Sequence, residues 1–310
     1  MRVLSLFDGI SGAAQALKEL EIECEYYASE IDKFAIQISQ KNHPEIKRLG
    51  DVESVNFKDL SFDFEPDLLI GGSPCQDLSI ANNSNKGLDG ERSGLFFEYL
   101  RILHEFKPKF FVLENVASMK NCDKDRISEL LGIQPIKIDS ALLTAQQRKR
   151  YYWVGKLVGG EYQQIAIQQP KDKQILLKNI LENGDSNSLK SYCIPATYYK
   201  ENVKSLVKRK KTGLVVKVGE VGFGGQGNRV YDPDGKSICL SANSGGLGSK
   251  TGLYEIENRV RKLTPIECER LQGFPDNYTH GISQTQRYKS LGNSFTVPVI
   301  KHIISTIFKN

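Results

Sequence analysis

Over its first half the chain alternates short apolar runs with amphipathic stretches, and this alternation restricts the fold more than any other feature. Residues 3–7 read as a strand, after which Ile10, Ala13, Ala14, Leu17 and Leu20 recur at helical spacing. Residues 25–29 are the next strand and 33–40 the next helix, and a short run at 47–49 leads to Gly50-Asp51-Val52. Residues 67–70 form a buried strand, 95–106 a helix and 110–113 another strand. A helix near 123–131 and strands around 135–143 and 150–157 complete the series. Such a series predicts an α/β fold with a doubly wound, mostly parallel sheet and helices on both faces. Folds of this class take their ligands at the carboxyl ends of the strands.

Those strand ends carry reactive residues. The run at 67–70 leads into Gly71-Gly72-Ser73-Pro74-Cys75-Gln76, and the run at 110–113 into Glu114-Asn115-Val116. Gln146-Gln147-Arg148-Lys149-Arg150 precedes the strand that begins Tyr151-Tyr152-Trp153-Val154. A nucleophile, a carboxylate and arginines thus arrive at one edge. Leu6-Phe7-Asp8-Gly9-Ile10-Ser11-Gly12 is a turn between strand and helix in which glycine lets the backbone approach a ligand. It lacks G-x-G-x-x-G spacing, which disfavours a nicotinamide dinucleotide. Glu30, ending the second strand, is placed to bond ribose hydroxyls, and Asp51 to accept from an adenine amino group.

The pattern changes near Gly159-Gly160. Residues 158–258 are rich in Gln, Lys, Gly, Asn and Ser, with β-like fragments such as 214–218, and predict a smaller irregular β-rich domain. Thr264-Pro265-Ile266-Glu267 marks a helix start. Val297, Ile300, Ile304, Ile307 and Phe308 form the stripe of a last helix that needs a sheet to pack on. The chain is therefore divided into 1–157, 158–258 and 259–310, with the third segment expected to return to the first domain. Residues 1–157 hold 20 Lys and Arg against 24 Asp and Glu, a net of −4, whereas 158–258 and 259–310 come to +4 and +5. The basic later segments suit a polyanion. Six scattered cysteines without a Cys-x-x-Cys pair argue against zinc and disulfides and for a reducing cytoplasm. The apolar start stops at Asp8 and reads as a first strand, not an export signal.

In this order the four motifs resemble those of the DNA cytosine-5 methyltransferase family. Glu269-Arg270-Leu271-Gln272-Gly273-Phe274-Pro275 and Gly292-Asn293-Ser294 add to the resemblance. It covers residues 1–157 and 259–310 and is nearest to the compact bacterial and phage enzymes. Residues 73–97 are also similar to the eukaryotic de novo methyltransferases. The resemblance implies the S-adenosylmethionine-dependent methyltransferase fold, with S-adenosyl-L-methionine as donor and S-adenosyl-L-homocysteine as product. It implies that Phe7, Asp8, Gly9, Ile10, Gly12, Glu30, Ile31, Asp51, Val52, Pro74, Leu95, Asn293 and Ser294 hold the cofactor. Cys75 is the implied nucleophile and Glu114 the acid that holds the ring, with Arg150 and Arg148 steadying the pyrimidine or its phosphate. The chemistry suits these residue types: C5 of cytosine is a poor nucleophile until a thiolate adds to C6 and gathers electron density at C5. A carboxyl group engaging N3 and the N4 amino group stabilises the displaced charge.

A cytosine inside a duplex must be flipped out to react. The polar loop 76–94 is expected to close over DNA, with Gln76, Ser79, Ile80, Lys86 and Arg92 as contacts. Residues 158–258 correspond to the family's target-recognition domain. There Lys208, Arg209 and Lys210 form a phosphate patch or a solvated turn, and Gln226, beside Gly224-Gly225, is a groove contact. The family's Thr-Leu-like pair is replaced by Cys239-Leu240. The partners expected are double-stranded DNA and a cognate restriction endonuclease of the same system. The protein is expected to act as a monomer in the cytoplasm of a bacterial or phage-infected cell, with no membrane and no metal. Two rivals share the scaffold, a tRNA cytosine-5 methyltransferase and a catalytically silent DNA-binding regulator. The first typically carries Cys-Phe-Thr beyond Glu-Asn-Val, where this chain has Ala117-Ser118-Met119-Lys120. The second typically loses motifs that are complete here.

Overall fold

A computed structural model describes residues 1–55, 65–73, 95–182, 217–220, 229–240, 253–256, 259–261 and 263–308. The chain divides into two compact units. The first comprises Met1–Asp139, Lys149–Gln169 and Val299–Asn310, and the second Ser140–Arg148 and Pro170–Pro298.

The first unit is a sheet flanked by helices. Its strands are β1 (Arg2–Leu6), β2 (Glu25–Ser29), β3 (Lys47–Gly50), β4 (Leu68–Gly72), β5 (Phe110–Val116), β6 (Ile136–Asp139), β7 (Lys149–Val158) and β8 (Glu161–Gln164). They lie in the order β3-β2-β1-β4-β5-β7-β6, with β8 beside β7. Pairings among β1 to β5 are parallel, and those of β7 are antiparallel. The helices α1 (Gly12–Glu19), α2 (Lys33–Asn42), α3 (Leu95–Phe106) and α4 (Asn121–Leu131) connect them. The chain winds outward from β1 to β3, then returns to place β4 against the other side of β1. The topological switch point, where doubly wound folds open a crevice, therefore lies between β1 and β4.

The mainly apolar central strands are buried on both faces along most of their length, as parallel sheets require. Leu4, Leu6, Leu69, Phe111, Leu113 and Trp153 pack with Phe96, Tyr99, Ile102 and Ile127 in one core. Complete burial of Phe96 and Phe111 stabilises by about 1.5–3 kcal/mol each. Two glycines make this packing possible. A Cβ on Gly71 would lie 2.9 Å from the Leu6 carbonyl oxygen and 3.1 Å from the Tyr99 ring, and one on Gly155 would lie 2.3 Å from the Phe111 ring. The last helix, α7 (Val297–Phe308), buries Ile300, Ile303 and Ile304. Its residues in the first unit bring the Phe308 ring 5.4 Å from that of Phe110 and Lys301 3.2 Å from Glu19.

The second unit holds a four-stranded sheet of order β12-β11-β10-β9. Its strands are β9 (Lys217–Glu220), β10 (Arg229–Tyr231), β11 (Leu253–Ile256) and β12 (Arg259–Arg261). Two helices, α5 (Pro265–Gln272) and α6 (Gln284–Asn293), follow. At α5 the expected start is present. The Thr264 hydroxyl accepts from the Glu267 N–H at 3.2 Å, and the Glu267 carboxylate accepts from the Thr264 N–H at 2.8 Å. Gly273 ends this helix in the left-handed conformation (φ 79°), where a side chain would strike Pro298.

Two local features differ from the sequence reading. Strand β5 continues through Val116, so Glu114 lies inside a strand instead of after it. Residues 140–142 form a 3-10 turn where the sequence suggested a continuing strand.

Candidate active site

At the carboxyl end of β1 the backbone alternates in handedness. Phe7, Gly9 and Ser11 have φ of 56°, 58° and 61°. The loop is braced to its neighbours: Asp8 N–H donates to the Ser29 carbonyl (3.1 Å), and Gly9 N–H donates to Glu30 Oε2 (2.8 Å). Glu30 Oε1 accepts from the Ile31 and Asp32 N–H groups, each at 2.8 Å. The Glu30 carboxylate thus takes three backbone donors and keeps acceptor capacity on Oε2. Glu30 N–H in turn donates to the Gly50 carbonyl (3.0 Å), so the ends of β1, β2 and β3 form one rim.

Along this rim the expected cofactor residues differ in what they present. Nothing lies within 4 Å of a Cβ built on Gly9, so the turn faces open space. Ile31 is 70% exposed, although it is a large apolar side chain. Asp51 is exposed and caps a 3-10 turn by accepting from the Glu53 N–H at 3.1 Å, while Val52 is buried. Phe7 and Leu95 are half-buried against the core. Asp8, Ile10 and Gly12 are buried, so the Asp8 and Ile10 side chains serve the fold and the segment offers a ligand its backbone. Burial raises the Asp8 carboxyl above its usual value, against hydrogen bonds from Ser11, Ser5 and Tyr26 that lower it. These partners were not legible as a group, because their spacing follows no local period.

The reactive edge lies one strand further. Register pairs Leu6 with Gly71 across β1 and β4, and Gly72 with Glu114 across β4 and β5. Glu114 Oε1 accepts from Arg150 Nε at 2.8 Å, with side chains 13% and 14% exposed. Buried Asn115 donates from Nδ2 to the Ser73 hydroxyl at 3.0 Å and accepts the Val116 N–H at 2.8 Å. The Glu-Asn pair therefore divides its work: Glu114 meets a guanidinium, and Asn115 anchors the segment that runs on to Cys75. Pro74, Cys75, Gln76, Ser79, Ile80, Lys86 and Arg92 lie outside the described residues, as do Lys208, Arg209, Lys210 and Gln226.

The structure separates the two arginines of the Gln-x-Arg-x-Arg motif. Arg150 belongs to the first unit and faces Glu114, whereas Arg148 belongs to the second and is 5% exposed. Arg148 donates to the carbonyls of Leu240 (3.5 Å), Gly292 (3.2 Å) and Ser294 (2.9 Å) and to the Cys239 sulfur (3.2 Å). The Arg148 guanidinium, which was expected to steady the pyrimidine or the adjacent phosphate, thus also clamps these backbone acceptors together. Gln146, to which the sequence reading gave no role, works beside it. Its amide nitrogen donates to Gln272 Oε1 (3.1 Å), and its oxygen accepts from the Leu240 N–H (2.8 Å). The full burial of Gln146 could not be read from a motif that resembles a solvated basic turn. Ser294 is buried in the second unit and its hydroxyl donates to the Leu291 carbonyl (3.0 Å), while Asn293 is exposed.

A family model described as C-5 cytosine-specific DNA methylase matches residues 1–309. The chain is 33% identical to the type II methyltransferase M.HhaI of Haemophilus parahaemolyticus, across 99% of this chain and 94% of that protein. It is 28% identical to the orphan methyltransferase M.SPRI of Bacillus phage SPR, across 99% of this chain and 97% of that protein. Among solved structures, the methyltransferase EhMeth of Entamoeba histolytica is similar with a TM-score of 0.71 at 22% identity, covering 100% of this chain and 98% of that one.

Proposed function

Because the chain belongs to the C-5 cytosine-specific DNA methylase family and is thereby a DNA (cytosine-5-)-methyltransferase, we propose that it uses S-adenosyl-L-methionine and acts through Cys75. The target is a cytosine flipped out of a specific double-stranded sequence. The observation that carries this reading is the Glu114–Arg150 pair, set in register opposite Gly72, three residues before Cys75 in the chain.

The rim at the ends of β1, β2 and β3 suits this donor. Its spare acceptor on Glu30 matches a ribose hydroxyl, the exposed Ile31 matches an adenine face, and the open space over Gly9 admits a ligand against bare backbone. Asp51 is available for the adenine amino group, and Phe7, Val52, Pro74 and Leu95 complete the set. The resemblance assigns Asn293 and Ser294 to the same ligand. Bound there, the donor supplies an electrophilic methyl carbon.

Cys75, as a thiolate, adds to C6 of the flipped base, and the electrons of the C5–C6 double bond become available at C5. Glu114 engages the N3 and N4 side of the ring, and Arg150 holds the Glu114 carboxylate in place. Once C5 has taken the methyl group, loss of its proton to a base restores the double bond and expels the Cys75 thiolate. The DNA contacts expected from Gln76 to Arg92, from Lys208 to Lys210 and from Gln226 rest on the resemblance. So do the monomeric state and a cognate endonuclease.

Expression in a methylation-free host followed by bisulfite sequencing tests the activity. The expected result is protection of cytosines in one consistent context, lost in Cys75→Ser while DNA binding survives. Duplex containing 5-fluorocytosine in that context, with donor, should trap a covalent adduct at Cys75. Retained turnover by Cys75→Ser would remove the thiol from its role.

A further inference from the structure

The turn at Phe7–Ser11 needs an explanation for its shape. A left-handed conformation in a residue that carries a side chain costs about 1–2 kcal/mol, and Phe7 and Ser11 both adopt it. Between them sits Asp8, only 4% exposed, with a carboxylate enclosed by hydroxyls. Oδ1 accepts from Ser5 Oγ (2.7 Å) and Tyr26 Oη (2.8 Å), and Oδ2 accepts from Ser11 Oγ (2.5 Å). Ser11 Oγ also meets Ser39 Oγ of α2, and Arg48 Nη2 of β3 donates to Ser39 Oγ at 2.7 Å.

Proton counting sets the direction of this chain. A guanidinium only donates, an ionised carboxylate only accepts, and each serine has one hydroxyl proton. With Asp8 ionised, Ser11 gives its proton to Asp8, Ser39 gives its own to Ser11, and Ser39 accepts from Arg48. Every bond then runs one way, from the Arg48 cation through two hydroxyls to the Asp8 anion, and each polarises the next. The relay ties the left-handed Ser11 to α2 and β3. Those elements follow Glu30 and precede Asp51, the other two corners of the rim.

We propose that Ser39 and Arg48 are positioning residues for the methyl donor, acting through Ser11 and Asp8 to hold the Phe7–Ser11 turn in its ligand-accepting shape. Neither residue touches the donor. They keep Gly9 N–H on Glu30, which leaves the Glu30 carboxylate fixed toward the ribose. The proposal rests on the reading of this rim as the S-adenosylmethionine site.

The test is calorimetric titration of S-adenosyl-L-homocysteine into the full-length, DNA-free protein. Ser39→Ala and Arg48→Met should each weaken binding about tenfold, the worth of one charge-assisted hydrogen bond. In steady-state methylation the loss should fall on the KM for the donor, not on kcat. Arg48→Lys, which keeps a cationic donor, should recover most of the affinity. Ser128→Ala, which removes the acceptor of Trp153 Nε1 (3.0 Å), serves as the stability control and should lower the melting temperature without moving the dissociation constant. Wild-type affinity in both Ser39→Ala and Arg48→Met, or an equal loss in Ser128→Ala, overturns the proposal. Should Ser39→Ala not fold, Arg48→Met at its half-buried position decides alone. A wild-type protein that binds no S-adenosyl-L-homocysteine overturns the cofactor reading itself.

Discussion

The Glu114–Arg150 pair allows the sharpest test of how the reactive edge is built. With Nε and Oε1 2.8 Å apart and side chains 14% and 13% exposed, the pair falls between two regimes. Exposed ion pairs couple by about 0.2–1 kcal/mol, whereas removing one partner of a buried pair costs about 3–5 kcal/mol. A single charge-assisted hydrogen bond at this depth should be worth about 2 kcal/mol. A double-mutant cycle of wild type, Glu114→Gln, Arg150→Met and the double variant, followed by urea unfolding, should therefore return a coupling of about 2 kcal/mol. Methylation should behave as a unit too. Each single variant should lose most of kcat/KM, and the double should lose no more than about threefold beyond the worse single. Arg150→Lys keeps the charge but not the planar fork, and should fall between wild type and Arg150→Met. A stability coupling below about 0.5 kcal/mol together with multiplying activity losses would show the two residues acting independently, and the reasoning would fail.

Three further outcomes follow from the packing. Gly71→Ala sets a Cβ 2.9 Å from the Leu6 carbonyl oxygen and should destabilise by about 1–3 kcal/mol in urea; an unchanged midpoint would mean that β1 and β4 separate freely. Arg148→Met leaves the carbonyls of Gly292 and Ser294 without this donor, so amide exchange should quicken over residues 290–297 and stay unchanged in β1 and β4. Unaltered protection there would mean that Arg148 does not clamp these carbonyls. Asp276 accepts two bonds from Arg270, at 2.8 and 2.6 Å, and that guanidinium holds its carboxyl below the usual 3.8. Because the folded value is the lower one, the pair's contribution is present above about pH 4 and lost as pH falls through the folded value. Asp276→Asn should remove this acid limb from the stability profile, and a profile that keeps the limb would assign it to other carboxylates.

Much of the first unit was legible because its signals are local. Apolar runs separated by helical stripes located β1 to β5 and α1 to α4 within a few residues, and Thr264-Pro265 marked the start of α5. Glu30 was likewise legible as a strand-end carboxylate, since a strand's end is set by the chain itself. The handedness of Phe7 and Ser11 was not. Neither residue type prefers that conformation, and the groups around them come from β2, α2 and β3.

The strand–helix order of the first unit and the family were determined by the sequence alone, since each depends on residues adjacent or nearly adjacent along the chain. Tertiary structure decided which partner each side chain meets. On the extended segment from Gln146 to Arg150, alternate residues look equivalent to any periodic reading. Yet Arg148 reaches acceptors 91 to 146 residues away in the second unit, while Arg150 turns to Glu114 in the first. Asp8 is a similar case, drawn inward by hydroxyls from Ser5, Ser11 and Tyr26. Desolvation and hydrogen-bond satisfaction choose among such partners only when distant segments have come together, so no local pattern carries that information.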